Sequence, residues 1–212
     1  MRALILGIGN LLWADEGFGV RAVEELHRLY EFPPNVKLLD GGTQGLYLLE
    51  HVTSADILAV FDAVDYGLAP GTLKLAGDDE VPSFLGAKKM SLHQTGFQEV
   101  LATAELLGKA PAHLFLIGVQ PAELEDYGGS LRPEVKAQIP AAIAQAITYL
   151  GRFGIHARRR IEPLPESETL ACQHMLMSRY EAGRPGEEEA CRSGDARVLA
   201  MRVSPDRLPE AV

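Results

Sequence analysis

Residues 3–19 (ALILGIGNLLWADEGFG) constrain the fold of this chain more than any other stretch. The apolar run at residues 3–6 meets two glycines, which predicts a strand covered on both faces and a sharp turn after it. Asp15 and Glu16 then precede a helix predicted over residues 17–30, because apolar side chains recur there at helical spacing. The stretch therefore delivers a carboxylate to the carboxyl end of a strand, where open α/β sheets place their sites.

The acid pair at the start of this helix also has two other interpretations. Asp15 and Glu16 are the residue type that the helix dipole favours in a first turn, with no further role. The glycines also suggest a dinucleotide loop, but the third glycine of G-x-G-x-x-G would fall on Leu12. The acids that follow would repel a phosphate, so nucleotide binding is the weakest of these hypotheses.

Length, charge and cysteine content limit the classes of protein to which this chain can belong. The chain has 212 residues, 47% hydrophobic content and a net charge of −9. This charge disfavours nucleic acid and anionic membranes as partners. No apolar run approaches the ~20 residues that a membrane helix needs, so no membrane insertion is expected. Two cysteines and no visible signal peptide favour a reducing cytoplasm.

Apolar runs along the chain predict an α/β fold of one domain. We expect a twisted, mainly parallel sheet of about five strands with helices on both faces, since a helix is predicted between nearly every pair of strands. Pro140 should kink or split the last helix. The further strands are predicted at residues 36–39, 57–61, 72–75 and 114–119, and the further helices at residues 44–52, 91–107 and 133–153.

The pattern changes after residue 155, so we place the domain at residues 1–155 and a C-terminal extension, partly disordered, at 156–212. The extension has little sustained periodicity beyond a possible helix near residues 168–180, and it is rich in arginine and acids. Cys172, His174 and Cys191 do not complete a zinc-like spacing, so surface thiols are the preferred interpretation.

Polar groups follow three of these elements. Asp40 ends the second strand and opens the turn Asp40-Gly41-Gly42-Thr43, in which Thr43 could cap the next helix. This turn either closes on itself or borders a groove for an extended peptide. Asp62 ends a buried strand, where a carboxylate is costly unless it is hydrogen-bonded, paired or bound to a cation.

His93 lies in the first turn of the helix predicted at residues 91–107, which begins with the capping-box spacing S-x-x-Q. The helix dipole disfavours imidazolium there, and neutral imidazole is the form that binds metal. In a mostly parallel sheet Glu16, Asp62 and His93 would gather at the carboxyl edge. Two carboxylates and one imidazole leave coordination positions open, as expected for a metal that engages a substrate.

Five segments, in this order and spacing, resemble the motifs of the maturation endopeptidases of nickel–iron hydrogenases. They are GIGNLLWADEGFG (7–19), DGGTQG (40–45), DAVD (62–65), SLHQTG (91–96) and GVQP (118–121). The resemblance covers about residues 1–153. It implies that Glu16, Asp62 and His93 bind metal and that the turn at residues 40–43 helps in substrate processing.

The resemblance also implies the reaction. Such an enzyme removes a short C-terminal peptide from the precursor of the hydrogenase large subunit once nickel is in place, and the nickel belongs to the substrate. The nucleophile is not identified, and Asp40 is retained as a candidate catalytic residue. Two alternatives stay open: a metallopeptidase or amidase that holds its own zinc or manganese, and a chaperone that checks the metal without cutting.

Overall fold

The main sheet of the protein has five strands. A computed structural model describes residues 1–81, 92–170 and 172–185. The sheet order is β3-β1-β4-β6-β5, and every neighbouring pair is parallel except β5 with β6. The strands are β1 Ala3–Ile8, β2 Tyr30–Glu31, β3 Val36–Gly42, β4 Ile57–Ala63, β5 Leu73–Gly77, β6 His113–Val119 and β7 Arg158–Arg159, of which β2 and β7 form a separate antiparallel pair.

Helices cover both faces of the sheet, as predicted. Buried side chains of α1 and α5 pack on one face, and those of α2 and α3 pack on the other. The α-helices are α1 Phe18–Leu29, α2 Leu49–Thr53, α3 Leu92–Leu106, α4 Pro133–Lys136, α5 Ile139–Gly151 and α6 Met177–Ala182. The 3-10 helices are Ala14–Gly17, Gly45–Leu48, Asp78–Glu80, Glu166–Glu168 and Gln173–Met175. None of the helices described here is long and apolar enough to cross a membrane.

The strand order creates a topological switch between β1 and β4. After β1 the chain moves to β3 on one side, and after β3 it returns past β1 to β4 on the other side. The loops that leave β1 and β4 therefore diverge and open a crevice at the carboxyl edge of the sheet. The predicted acid Glu16 belongs to the connection after β1, and Asp62 lies one residue before the end of β4.

Two local predictions differ from the structure, and the expected split of the last predicted helix is present. Asp40 lies inside β3, because the pairing of β3 with β1 continues past Asp40 to Gly42. Thr43 does not cap a helix, since a 3-10 helix beginning at Gly45 comes first and Gln44 occupies its N-cap. The helix predicted at residues 133–153 is split into α4 and α5, and Pro140 lies in the first turn of α5.

The compact unit runs from Met1 to Ala182, beyond the boundary that we predicted at residue 155. Residues 156–170 and 172–182 pack against α1 and are called the return segment below. The second unit begins at Gly183, and its residues beyond Pro185, including Cys191, lie outside the described part of the chain.

Candidate functional site

Glu16 lies in the 3-10 helix that links β1 to α1, and its side chain is half-buried. Gly9 fixes the backbone at this position. Its φ of +138° is a conformation that L side chains rarely adopt, and a Cβ there would lie 1.8 Å from the carbonyl oxygen of Glu16. Only glycine therefore lets the turn after β1 approach the backbone of Glu16.

Asp62 is fully buried near the end of β4. The start of α1 closes over this strand end, since a Cβ on Gly19 would lie 2.2 Å from the carbonyl oxygens of both Ile8 and Phe61. Glu16, in the connection after β1, and Asp62, near the end of the neighbouring strand β4, thus lie at the same edge of the sheet. The sequence prediction that brings these two carboxylates to one edge of the sheet agrees with the structure.

Tyr66 packs beside Asp62. In the register of β4 and β6, Asp62 lies opposite Gly118, and a Cβ on Gly118 would meet the Tyr66 hydroxyl at 2.7 Å. Burial raises the pKa of the Tyr66 phenol, and the negative charge of Asp62 raises it further. The phenol therefore keeps its proton beside the buried carboxylate at neutral pH.

The turn at Asp40 is tied to the turn after β1. Oδ1 of Asp40 accepts a hydrogen bond from the backbone N–H of Gly42 at 2.9 Å, and the N–H of Gly9 donates to the carbonyl of Gly42 at 3.0 Å. Burial raises the pKa of Asp40, while this N–H and the charge of Arg21 oppose the rise. Thr43 is exposed, so the turn presents its last residue to solvent.

His93 is the second residue of α3, which confirms its place in a first helical turn. The start of this helix packs on the DGGTQG segment, because a Cβ on Gly96 would lie 3.4 Å from the Cα of Gly45. The side chain of His93 lies outside the described residues. Among the described side chains, no three His, Cys, Asp or Glu residues form a metal-binding group. Metal binding by Glu16, Asp62 and His93 stays a prediction.

Asp15 has a structural role that the sequence did not reveal. Its fully buried carboxylate accepts three backbone N–H bonds from the segment after β6. Oδ2 accepts from Ala122 and Glu123, each at 2.8 Å, and Oδ1 accepts from Arg132 at 2.7 Å. Asp15 therefore anchors the loop at residues 122–132 beside Glu16. Nothing in the sequence around Asp15 indicated that its partners would lie more than 100 residues further along the chain.

Gln120 performs the same task for the loop after β4. Its buried Oε1 accepts from the N–H groups of Tyr66 (2.8 Å) and Leu68 (3.1 Å), and its Nε2 donates to Asp65 at 3.0 Å. The GVQP motif marked this residue, but its spacing alone did not indicate what the amide would bind.

We expect Gln120→Ala to destabilise the protein, because it leaves the backbone N–H groups of Tyr66 and Leu68 without their acceptor. The expected loss is about 2–3 kcal/mol in the free energy of unfolding, and the melting temperature should fall by about 5–10 °C. Thermal unfolding measures the effect. The control is Gln145→Ala, which alters an exposed glutamine of α5. Equal melting temperatures for the two variants would contradict this role.

Apolar side chains surround this edge of the sheet. Each of them lies in the connection that follows β1, β3, β4 or β6, and together they are called the apolar rim. Its members, with exposed fractions, are Leu12 (39%), Leu46 (54%), Tyr47 (87%), Leu68 (43%) and Tyr127 (66%). Tyr127 also packs on Trp13, with ring centroids 5.3 Å apart. Exposed apolar groups gathered at one edge are typical of a surface that binds another protein.

Cys172 and His174 lie in the return segment, and both are exposed. The exposed thiol agrees with the interpretation of Cys172 as a surface group.

Comparisons with known proteins give one consistent result. A family model described as hydrogenase maturation protease matches residues 20–149. The chain is 64% identical over 196 residues to the hydrogenase expression/formation protein HupD of Thiocapsa roseopersicina, an alignment that covers 92% of this chain and 89% of HupD.

Solved structures agree with the sequence comparisons. The hydrogenase maturating endopeptidase HybD from E. coli superposes with a TM-score of 0.72 and 41% identity, over 76% of this chain and 98% of that one. The [NiFe] hydrogenase maturation protease HybD from Thermococcus kodakarensis gives 0.57 and 28% identity, over 70% and 99%. The fold, the family model and the identity over nearly the whole length lead to one conclusion: this chain belongs to the hydrogenase maturation protease family and is an endopeptidase that hydrolyses a peptide bond.

Proposed function

We propose that this endopeptidase removes a short C-terminal peptide from the large-subunit precursor of a nickel–iron hydrogenase after nickel insertion. Glu16, Asp62 and His93 bind the nickel that the substrate carries. The ion is thus a recognition element of the substrate and not a resident cofactor.

The position of the two carboxylates supports this proposal most directly. Glu16 follows β1 and Asp62 lies near the end of the neighbouring strand β4, at the switch of the sheet, and α3 begins at the same edge with His93 in its first turn. A half-buried and a fully buried carboxylate bind a divalent cation more readily than they bind an anionic ligand. Three ligands from the protein leave positions for ligands from the substrate.

The apolar rim supports a protein as the substrate. A small ligand would occupy an enclosed pocket, whereas this edge exposes large side chains around the acids. Names among the solved structures point in the same direction, since the Thermococcus kodakarensis protein is described as a [NiFe] hydrogenase maturation protease.

The chain's own groups then have distinct tasks. Glu16, Asp62 and His93 hold the substrate's metal and thereby place the scissile bond at a fixed distance from the protein. Asp40, whose pKa is raised by burial, is the candidate group to exchange a proton during hydrolysis. The metal could also polarise the scissile carbonyl or activate a water molecule.

A processing assay tests the proposal. Purified protein is incubated with nickel-loaded precursor and, separately, with nickel-free precursor, and mass spectrometry reads the C-terminus. We expect cleavage of the loaded precursor only. Asp62→Asn and His93→Ala should each lower the cleavage rate by roughly 100-fold or more, because they misplace the reacting bond. His51→Ala is the control. His51 lies in α2, outside this site, and its ring contacts Lys37 of β3.

Each other outcome contradicts a stated part of the proposal. Cleavage without nickel would indicate a self-contained peptidase, and a tightly held stoichiometric ion in the purified protein would support that alternative. Binding of the precursor without any cut by the wild-type protein would indicate a metal-checking chaperone. Normal cleavage by both site variants would show that the three ligands are wrongly assigned.

A further inference from the structure

The return segment runs antiparallel to α1, from the end of this helix back to its beginning. Near the end of α1, β7 pairs with β2, and the N–H groups of Arg160 and Leu164 donate to the carbonyls of Leu29 and Arg28. Near the beginning of α1, the carbonyl of Met175 accepts a hydrogen bond from Arg21. Since α1 begins at the carboxyl edge of the sheet, the segment returns to the edge that carries the candidate site.

A buried arginine holds the returning chain in place. The Arg21 side chain is only 3% exposed and pairs with Glu24 at 3.0 Å. Its Nη1 also donates to the carbonyl of Met175, and its guanidinium carbon lies 5.8 Å from the centroid of the Tyr180 ring. A buried guanidinium needs partners for its N–H groups, so removal of the return segment would leave this one partly unsatisfied. The segment is therefore an integral part of the domain.

The last turn of the segment contacts the loop beside Glu16. Oε1 of Glu181 accepts from the hydroxyl of Ser130 at 2.8 Å and from Nζ of Lys136 at 2.7 Å. Ser130 belongs to the same loop that Asp15 anchors through the N–H of Arg132. One loop thus connects the end of the return segment to the residue next to Glu16.

From this placement we propose that the outer face of the return segment is a docking contact for the large-subunit precursor. The contact is made by the exposed side chains Gln173, His174 and Ser178. Glu181 of the same segment contacts Ser130, and Ser130 lies on the loop that carries Tyr127 of the apolar rim. Apolar centres with polar borders are the usual composition of protein interfaces. The inference rests on the proposed function, and it names a part of the surface that binds the precursor away from the scissile bond.

The experiment compares two triple variants of the full-length protein on the nickel-loaded precursor that the wild-type protein cuts. The first variant carries Gln173→Ala, His174→Ala and Ser178→Ala, which leave Arg21 and Glu181 with their partners. The second is matched in size and exposure but lies at the far end of the same segment, with His156→Ala, Ile161→Ala and Glu162→Ala. Initial rates over a range of precursor concentrations give kcat and KM for each.

We expect the first variant to raise KM about 10-fold with kcat unchanged, since a docking contact contributes equally to substrate and transition-state binding. The second variant should match the wild type. Equal KM values for all three proteins would overturn the docking contact while leaving the proposed function intact. Failure of the wild-type protein to cut the precursor would instead overturn the proposed function. Thermal unfolding of both variants shows whether any change in KM comes from lost stability.

Discussion

Replacing Gly9 with alanine is expected to lower the rate of processing roughly 100-fold while the precursor still binds to the protein. The new Cβ would lie 1.8 Å from the carbonyl oxygen of Glu16, so the 3-10 helix that carries Glu16 must move. A displacement of Glu16, the proposed metal ligand, by about 1 Å is enough for a loss of roughly 100-fold in rate. The φ of +138° at Gly9 adds backbone strain for any residue that carries a Cβ. The cleavage assay with loaded precursor measures the effect.

The control for Gly9→Ala is Gly108→Ala. Gly108 follows the end of α3 and also has a positive φ, of +63°, but a Cβ there would have no atom within 4 Å. The Gly108→Ala variant should lose about 1 kcal/mol in the free energy of unfolding from backbone strain alone and should keep its activity. If Gly9→Ala cleaved the precursor at the wild-type rate, the close approach between the two turns would have no role in placing Glu16.

The second large effect is expected for Asp15→Ala. Three backbone N–H groups of the loop at residues 122–132 lose their acceptor, which should cost about 3–5 kcal/mol in the free energy of unfolding. For a domain of this size that corresponds to a fall of about 10 °C in melting temperature. Activity should fall as well, because the same loop borders Glu16. Calorimetry and the cleavage assay measure the two effects.

Asp56→Ala provides the comparison for Asp15. The carboxylate of Asp56 also accepts a backbone N–H, that of Arg2 at 2.6 Å, but at the opposite edge of the sheet and in contact with solvent. We expect a loss of about 1 kcal/mol with no change in cleavage rate. Similar losses for the two aspartate variants would show that Asp15 is an ordinary first-turn acid, which was the simpler interpretation of the sequence.

The sheet and its site edge were predictable from the sequence because both depend on local patterns. Apolar runs at residues 3–6 and 57–61 are long enough to identify buried strands, and glycines with acids after them identify the turns. Asp62 was singled out because a carboxylate at the end of a buried strand is costly unless it is hydrogen-bonded, paired or bound to a cation. The motif resemblance added the likeness to a family, which the comparisons confirm.

What the sequence did not reveal depends on contacts between distant residues. The partners of Asp15 and Gln120 are backbone N–H groups, which no side-chain pattern encodes. The return segment packs through scattered contacts: the carbonyl of Met175 accepts from Arg21, the carboxylate of Glu181 accepts from Lys136, and Leu170 and Met177 pack against the core. Such contacts leave no sustained apolar periodicity in the sequence. Asp40 was placed at a strand end because glycines usually end strands, but here the pairing with β1 continues through them.

The two loop anchors have a consequence for how the enzyme meets its substrate. Asp15 and Gln120 fix the loops after β6 and β4 in the free protein, through bonds that need no ligand. Little conformational entropy is then lost when the precursor arrives, so more of the contact energy is available as affinity. Under the proposed function, a site fixed in this way would also favour metal ions of one size and geometry over others, since a rigid set of ligands does not adjust to an ion that prefers a different arrangement. The proposed recognition of the substrate's metal would then depend on the shape of the ligand set as well as on its charge.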